Sequence, residues 1–123
     1  MAKKRGINMI PNREELQEEV QKLKRDDFLI IVEGPKDKIA LEKLGLTNII
    51  CLSTSPLYKI VEEVVKKAKD VAILTDLDGK GKELYHVLSR DLQNHRVKID
   101  NRLRDKLFQA KISHIEGLAT FLM

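Results

Sequence analysis

Glu33, Asp76 and Asp78 are the residues of this chain best placed to do chemistry. Each follows directly on a short apolar run: Ile30-Ile31-Val32 leads into Glu33-Gly34-Pro35-Lys36-Asp37, and Ile73-Leu74-Thr75 into Asp76-Leu77-Asp78-Gly79-Lys80-Gly81. Carboxylates are hard oxygen donors. Magnesium is bound by one or two of them, completed by water and substrate phosphate. Acids held a few ångströms apart repel by roughly 4 kcal/mol per pair at an effective dielectric near 20, and a shared cation turns that repulsion into attraction. A lone Asp-x-Asp is usually a solvated turn, and a lone Glu-Gly-Pro a helix start. Two such stretches, each after a buried strand, point further. The expectation is that Glu33, Asp76 and Asp78 meet and hold Mg2+, with Mn2+ as an alternative. A cation so held can contact phosphate, which links the site to phosphoryl chemistry.

The elements that must position these acids follow from the apolar pattern. Runs rich in Ile, Val and Leu without alternation suit strands buried on both faces of a parallel sheet. The expected strands are Phe28 to Val32, Asn48 to Leu52, Asp70 to Thr75 and Arg96 to Ile99. Helical spacing fills the gaps. Asn12 caps a helix over 13–25, with Leu16, Val20 and Leu23 inward. A short helix ends at Gly45, and Ser55 caps one with Leu57, Ile60, Val61, Val64 and Val65 inward. Lys82 to Asn94 forms another, and Asp100 caps a helix to about Ala110 with Leu103, Leu107 and Phe108 inward. Lys111 to Ile115 reads as a short extended piece and Glu116 to Met123 as a last turn or helix. Gly34, Gly79 and Gly81 are expected to shape the two acidic turns.

Alternating strands and helices imply β-α-β units and a mostly parallel α/β sheet with helices on both faces. The acids constrain its order. Glu33 and the Asp pair can share an ion only if the first and third strands are neighbours, which gives 2-1-3-4. A crevice is expected at the switch point between those strands, outside their carboxyl ends.

Composition narrows the setting. The 123 residues suit one ordinary domain, divided here as 1–26 (an arm, then a helix packing on the domain) and 27–123. No apolar run approaches a bilayer span, so no membrane partner is expected. The basic start, Met1 to Arg5, lacks the apolar stretch of a signal peptide. Cys51 is the only cysteine, and a reducing cytoplasm is the expected compartment. The net charge of +4 is modest. With several acids gathered in one site, the remaining surface is more basic than the sum and suits a polyanion.

The two acidic stretches resemble the paired motifs of the Toprim domain. That domain occurs in primases, type IA and II topoisomerases, OLD-type nucleases, RecR proteins and the ribonuclease that matures 5S ribosomal RNA. The resemblance spans roughly residues 27–118 and is strongest to small stand-alone members and the maturase's catalytic domain. It implies a three-layer, Rossmann-like fold. It also implies Glu33 as a general acid/base, Asp76 and Asp78 as magnesium ligands, and Asp37 as a supporting acid. Lys80 and Lys82 stand near the place of a topoisomerase arginine and, like Lys36, are either phosphate contacts or solvated. The implied partner is DNA or RNA, with a protein partner also in view.

The remaining candidates carry less. Topoisomerases draw a nucleophilic tyrosine from a domain not found in this sequence, and Tyr58 and Tyr85 read as packing residues. His86, His95 and His114 show no ligand spacing. Glu116 lies in a stretch similar to the C-terminal part of small stand-alone members, but no physical role follows. Two functions remain open: magnesium-dependent phosphodiester cleavage or phosphoryl transfer, and a nucleic-acid-binding or assembly module without chemistry of its own. Asp76-Leu77-Asp78-Gly79 also resembles the nucleophile loop of haloacid-dehalogenase-type phosphatases. Too few strands follow it for that fold.

Overall fold

The computed structural model describes residues 10–123. Residues 1–9 of the expected arm lie outside the described residues. The chain runs α1 (Arg13–Arg25), β1 (Leu29–Val32), α2 (Pro35–Lys43), β2 (Ile49–Cys51), a single 3-10 turn (Leu52–Thr54), α3 (Leu57–Lys67), β3 (Asp70–Ile73), α4 (Gly79–Asn94), β4 (Lys98–Ile99), α5 (Arg102–Gln109) and α6 (Ile115–Leu122). The four strands form one sheet in the order β2-β1-β3-β4, and every pairing is parallel. β1 sits between β2 and β3, with Ile31 opposite Ile50 on one side and Ile73 on the other.

The sheet buries both faces. Successive strand side chains point to opposite sides, so β1 and β3 each feed two cores. Ile30, Val32, Ala72 and Leu74 pack with Leu16, Val20 and Leu23 of α1, Leu41 of α2, Leu103 and Leu107 of α5, and Ile115, Leu118 and Leu122 of α6. Leu29, Ile31, Val71 and Ile73 pack on the other side with Ile60, Val61 and Val64 of α3 and Leu88 and Leu92 of α4. This is a three-layer α/β fold. The helix α2 lies on one face, and α3 and α4 on the other. Crossovers of a single hand require that swap when the strand order reverses direction, and right-handed crossovers are the rule. The reversal puts the ends of β1 and β3 side by side and opens the crevice between them.

Several local expectations are met for the expected reasons. Asn12 caps α1: its Oδ1 accepts from Glu15 N at 2.8 Å while Glu15 Oε1 accepts from Asn12 N at 3.0 Å. Gly45 follows α2 at φ +93°, the left-handed geometry that closes helices. Cys51 is buried in the core, and burial pushes its thiol pKa up.

Others are corrected. Ser55 is not the cap of α3. Pro56 takes that position without a side-chain hydrogen bond, because its fixed φ already suits a helix entry. Asn101, not Asp100, occupies the cap position of α5; Asp100 instead accepts from Arg102 N at 3.0 Å and pairs with its guanidinium at 2.6 Å. β4 begins after Arg96, whose φ of +65° makes it part of the turn. Lys111 to Ile115 forms no strand: Lys111 has φ +60° and α6 starts at Ile115. Phe108 is 66 % exposed rather than inward, since Leu103 and Leu107 already fill the seam of a two-turn helix. Tyr58 is 63 % exposed and does not pack as expected.

Candidate functional site at the ends of the central strands

β1 and β3 end at the same rim. Glu33 is the first residue past β1, and its Oε2 accepts a hydrogen bond from the backbone N–H of Asp76 at 2.8 Å. Residues separated by 43 positions are thereby clasped directly. The two strands bring them together: Leu74 N donates to Ile31 O at 2.8 Å, which continues the pairing just short of both acids.

After Thr75 the chain leaves the sheet, and the reason is visible in its contacts. Thr75 is buried, and its hydroxyl donates to Gly81 O at 2.7 Å. Asp78 is the N-cap of α4, with Oδ1 accepting from Gly81 N at 2.9 Å. The helix therefore starts at Gly79, earlier than the apolar spacing indicates. The first turn of α4 is folded tightly over Asp76, so a Cβ on Gly81 would run into the Asp76 carbonyl group. Glycine is required there for close approach. Gly34 and Gly79 differ from the expectation that all three glycines are demanded by the turns. A Cβ at either would meet nothing within 4 Å, and neither has positive φ; Gly34 is extended at φ −151°.

The Asp76 carboxylate is fixed from the C-terminal side of the chain. Its Oδ1 accepts from Ile115 N at 3.0 Å and its Oδ2 lies 3.2 Å from His114 Nδ1. The neighbouring backbone is tied as well, with Leu77 N donating to Ser113 O at 2.7 Å. The carboxylate raises the His114 pKa above the ordinary histidine value, chiefly through that hydrogen bond. Asp76, Asp78 and His114 each offer a ligand atom within 4.8 Å of the others. Among the described residues this is the group that could hold a metal ion. Glu33 stands outside it, held by the Asp76 amide. The donor set fits a divalent ion: two carboxylates suit Mg2+ or Mn2+, and an imidazole is compatible with the latter.

An open cleft of about 720 Å³ lies against these groups, lined in part by Glu33, Lys36, Asp37, Asp76, Lys80 and Glu116. Asp37 sits at the first turn of α2, where its Oδ2 accepts from Gly34 N at 3.4 Å. Its pKa is raised, first by burial, then by the charge of Asp76, with Glu33 and Glu116 adding to it and the Gly34 hydrogen bond opposing. The acids of this cleft therefore feel one another. Lys36 and Lys80 line the cleft, and Lys82 does not. It projects to a separate depression with Leu77, Tyr85, His86 and Phe108, because residues two apart on a helix face different ways.

Three residues of the site carry little or no signal of their role in the sequence. His114 and Glu116 are brought in by α6, which is remote in sequence; the similarity noted around Glu116 was the available signal. Arg104 had none. It is buried, donates through Nη1 to Ile73 O at 3.2 Å and Thr75 O at 2.7 Å, and reaches Asp76 O through Nη2 at 3.4 Å. Its guanidinium lies over the Tyr85 ring, 4.4 Å from the centroid, while the Tyr85 hydroxyl donates to Asn101 Oδ1 at 2.8 Å. Burial lowers the Arg104 pKa, and Tyr85, Glu33, Asp105 and Asp76 oppose that effect.

Comparison with known proteins agrees with this geometry. The chain is 41 % identical over 100 residues to a UPF0292 protein of Pyrococcus abyssi, covering 80 % of this chain and 75 % of that one. It is 33 % identical over 116 residues to a UPF0292 protein of Methanocaldococcus jannaschii, covering 89 % of this chain and 91 % of that one. A solved structure of a protein from Aquifex aeolicus superposes with a TM-score of 0.77 at 32 % identity, over 85 % of this chain and 96 % of that one. A family model for the Toprim domain matches residues 27–101. With the acidic motifs at neighbouring strand ends and that match over all four strands of the sheet, the chain belongs to the Toprim domain family.

Proposed function

We propose that this Toprim-domain protein cleaves phosphodiester bonds of DNA or RNA, or transfers a phosphoryl group on them, with the help of a divalent cation, at the rim where β1 and β3 end. The observation that carries the reading is the clasp between Glu33 and the Asp76 amide at 2.8 Å, which joins the two acidic motifs in one site. Asp76 and Asp78 would hold Mg2+ or Mn2+, with Glu33 kept beside them by its bond to the Asp76 amide. The ion, when bound, supplies positive charge against a phosphate oxygen. Glu33 is the group in reach to take or give the proton of a reacting hydroxyl. Lys36 and Lys80 offer point charges to neighbouring phosphates. Glu33, Asp37, Asp76 and Glu116 together make the cleft repel a polyanion, so substrate binding should depend on the cation. Asp37 supports that dependence by adding to the acidic field. A cytoplasmic setting fits a nucleic-acid substrate. No described helix is long and apolar enough to cross a membrane.

The test is a panel of labelled single- and double-stranded DNA and RNA incubated across a Mg2+ titration. Metal-dependent cleavage by the wild type, abolished in Glu33→Gln and in the Asp76→Asn, Asp78→Asn double variant, supports the reading. Equal cleavage by all three proteins would overturn it. A second reading, a binding or assembly module without chemistry, is favoured by one observation: among the described residues no aromatic side chain lines the cleft, and the cations that line it are Lys36 and Lys80. That is a thin grip on a nucleic acid. On this reading the wild type binds without cleaving, and Glu33→Gln binds as well as the wild type.

A further inference from the structure

We infer that His114 is a direct metal ligand, and that it makes this site favour a transition-metal ion such as Mn2+ over Mg2+. The inference deepens the metal reading proposed above and rests on it. Its observation is a donor set drawn from two separate parts of the chain: the Asp76 and Asp78 carboxylates from the loop after β3, and the His114 imidazole from the residue that opens α6. His114 lies outside the residues 27–101 that match the family model, so the family's two acidic motifs do not supply this ligand.

The spacing suits an octahedral ion. Donors about 2.1 Å from a common centre lie roughly 3.0 Å apart when adjacent and about 4.2 Å apart when opposite. The 3.2 Å contact between Asp76 Oδ2 and His114 Nδ1, a hydrogen bond whose proton a bound ion would displace, matches an adjacent pair. The Asp78 ligand atom lies within 4.8 Å of both. The positions are also held from outside. Ile115 N donates to Asp76 Oδ1 and Leu77 N to Ser113 O, so the segment carrying the imidazole is tied on both sides to the segment carrying the carboxylates. The His114 side chain is 59 % exposed, which leaves the ion's remaining positions open to water and a phosphate.

The chemistry of the donors gives the preference. Magnesium takes oxygen ligands and dehydrates reluctantly. An imidazole nitrogen adds little for it and more for a first-row transition ion. Removing the imidazole should therefore weaken Mn2+ binding by about tenfold or more, on the scale seen when groups supporting a metal are removed, and change Mg2+ binding much less.

The experiment uses the full chain with Mn2+, with Mg2+ as competitor. Bound Mn2+ is counted by its electron paramagnetic resonance signal, and a pulsed measurement reads nitrogen coupling from a coordinated imidazole. The expected result is nitrogen coupling in the wild type that is absent in His114→Ala, with a fall in the Mn2+ to Mg2+ affinity ratio. The exposed position of His114 lets the variant fold, which circular dichroism checks. If Mn2+ binding is lost in Asp76→Asn, Asp78→Asn but no imidazole coupling is seen in the wild type, the His114 inference is overturned and the carboxylate site stands. If Mn2+ binding is indifferent to both aspartates, the metal reading falls and the inference with it.

Discussion

Replacing Arg104 by methionine should cost the fold about 3 kcal/mol, and the figure can be built from its contacts. Ile73 and Thr75 are fully buried, so their carbonyls have no water to turn to when the Arg104 donors at 3.2 and 2.7 Å are removed. A buried polar group left without a partner costs about 1–3 kcal/mol, hence roughly 2–6 kcal/mol for the two. Loss of the stacking on Tyr85 adds about 1 kcal/mol. Against this, methionine keeps most of the apolar stem and removes the cost of burying a guanidinium, which is itself several kcal/mol before compensation. A net loss near the lower middle of the range follows. Lysine keeps the charge but lacks the planar fork and reaches fewer carbonyls, so Arg104→Lys should lose about half as much. Urea unfolding followed by circular dichroism reads both. With a slope of about 1.5 kcal/mol per molar urea, the midpoint should drop by about 2 M for methionine and about 1 M for lysine. A methionine variant within about 0.3 M of the wild type would refute the reasoning, since it would mean the guanidinium's bonds to the loop before Asp76 contribute no net stability.

Further consequences follow from the same loop and its neighbours. Gly81→Ala should destabilise by about 1–3 kcal/mol or more, because the added Cβ meets the Asp76 backbone, whereas Gly79→Ala, in open space at the first turn of α4, should stabilise by about 0.4–1 kcal/mol; thermal unfolding distinguishes them. Asp78→Ala removes the cap on α4 and should cost about 1 kcal/mol, while Asp78→Asn keeps a capping oxygen and should cost little. Comparing the two in unfolding and in Mn2+ titration separates the cap from the ligand. The Asp100 pKa is lowered; burial opposes the shift, and the hydrogen bonds and charge of Arg102 produce it. Its folded value lies below its unfolded one, so its stabilisation is present above the ordinary carboxylate range and is lost as pH falls through the folded value. Asp100→Asn should therefore flatten the acid limb of a stability-against-pH curve, and an unchanged limb would count against that pairing.

Most of what the sequence revealed concerns neighbours along the chain and the order of strands. The unbroken apolar runs at Leu29 to Val32 and Val71 to Leu74 mark buried strands because both faces are covered. The two acidic turns then force β1 beside β3 if the acids are to meet. What stayed hidden depends on tertiary placement. Arg104 sits in a helix whose apolar spacing gives no hint that a charged residue fills the gap between sheet and loop. His114 has no ligand spacing with Asp76 and Asp78, since α6 supplies it from the other end of the domain. Lys82 was grouped with Lys80 by proximity in sequence, and the helix turned it away. Phe108 fell outward because a helix of eight residues has room for one apolar seam, which Leu103 and Leu107 occupy.

The central claim is that the carboxylates of Asp76 and Asp78, beside the Glu33 clasp that joins the ends of β1 and β3, hold one divalent ion. A crystal of the protein soaked in Mn2+ and measured near the manganese absorption edge tests it most directly. The account predicts an anomalous peak at direct coordination distance from the carboxylates of Asp76 and Asp78, with Glu33 at its margin. A peak elsewhere on the surface, with none at this rim, would contradict it.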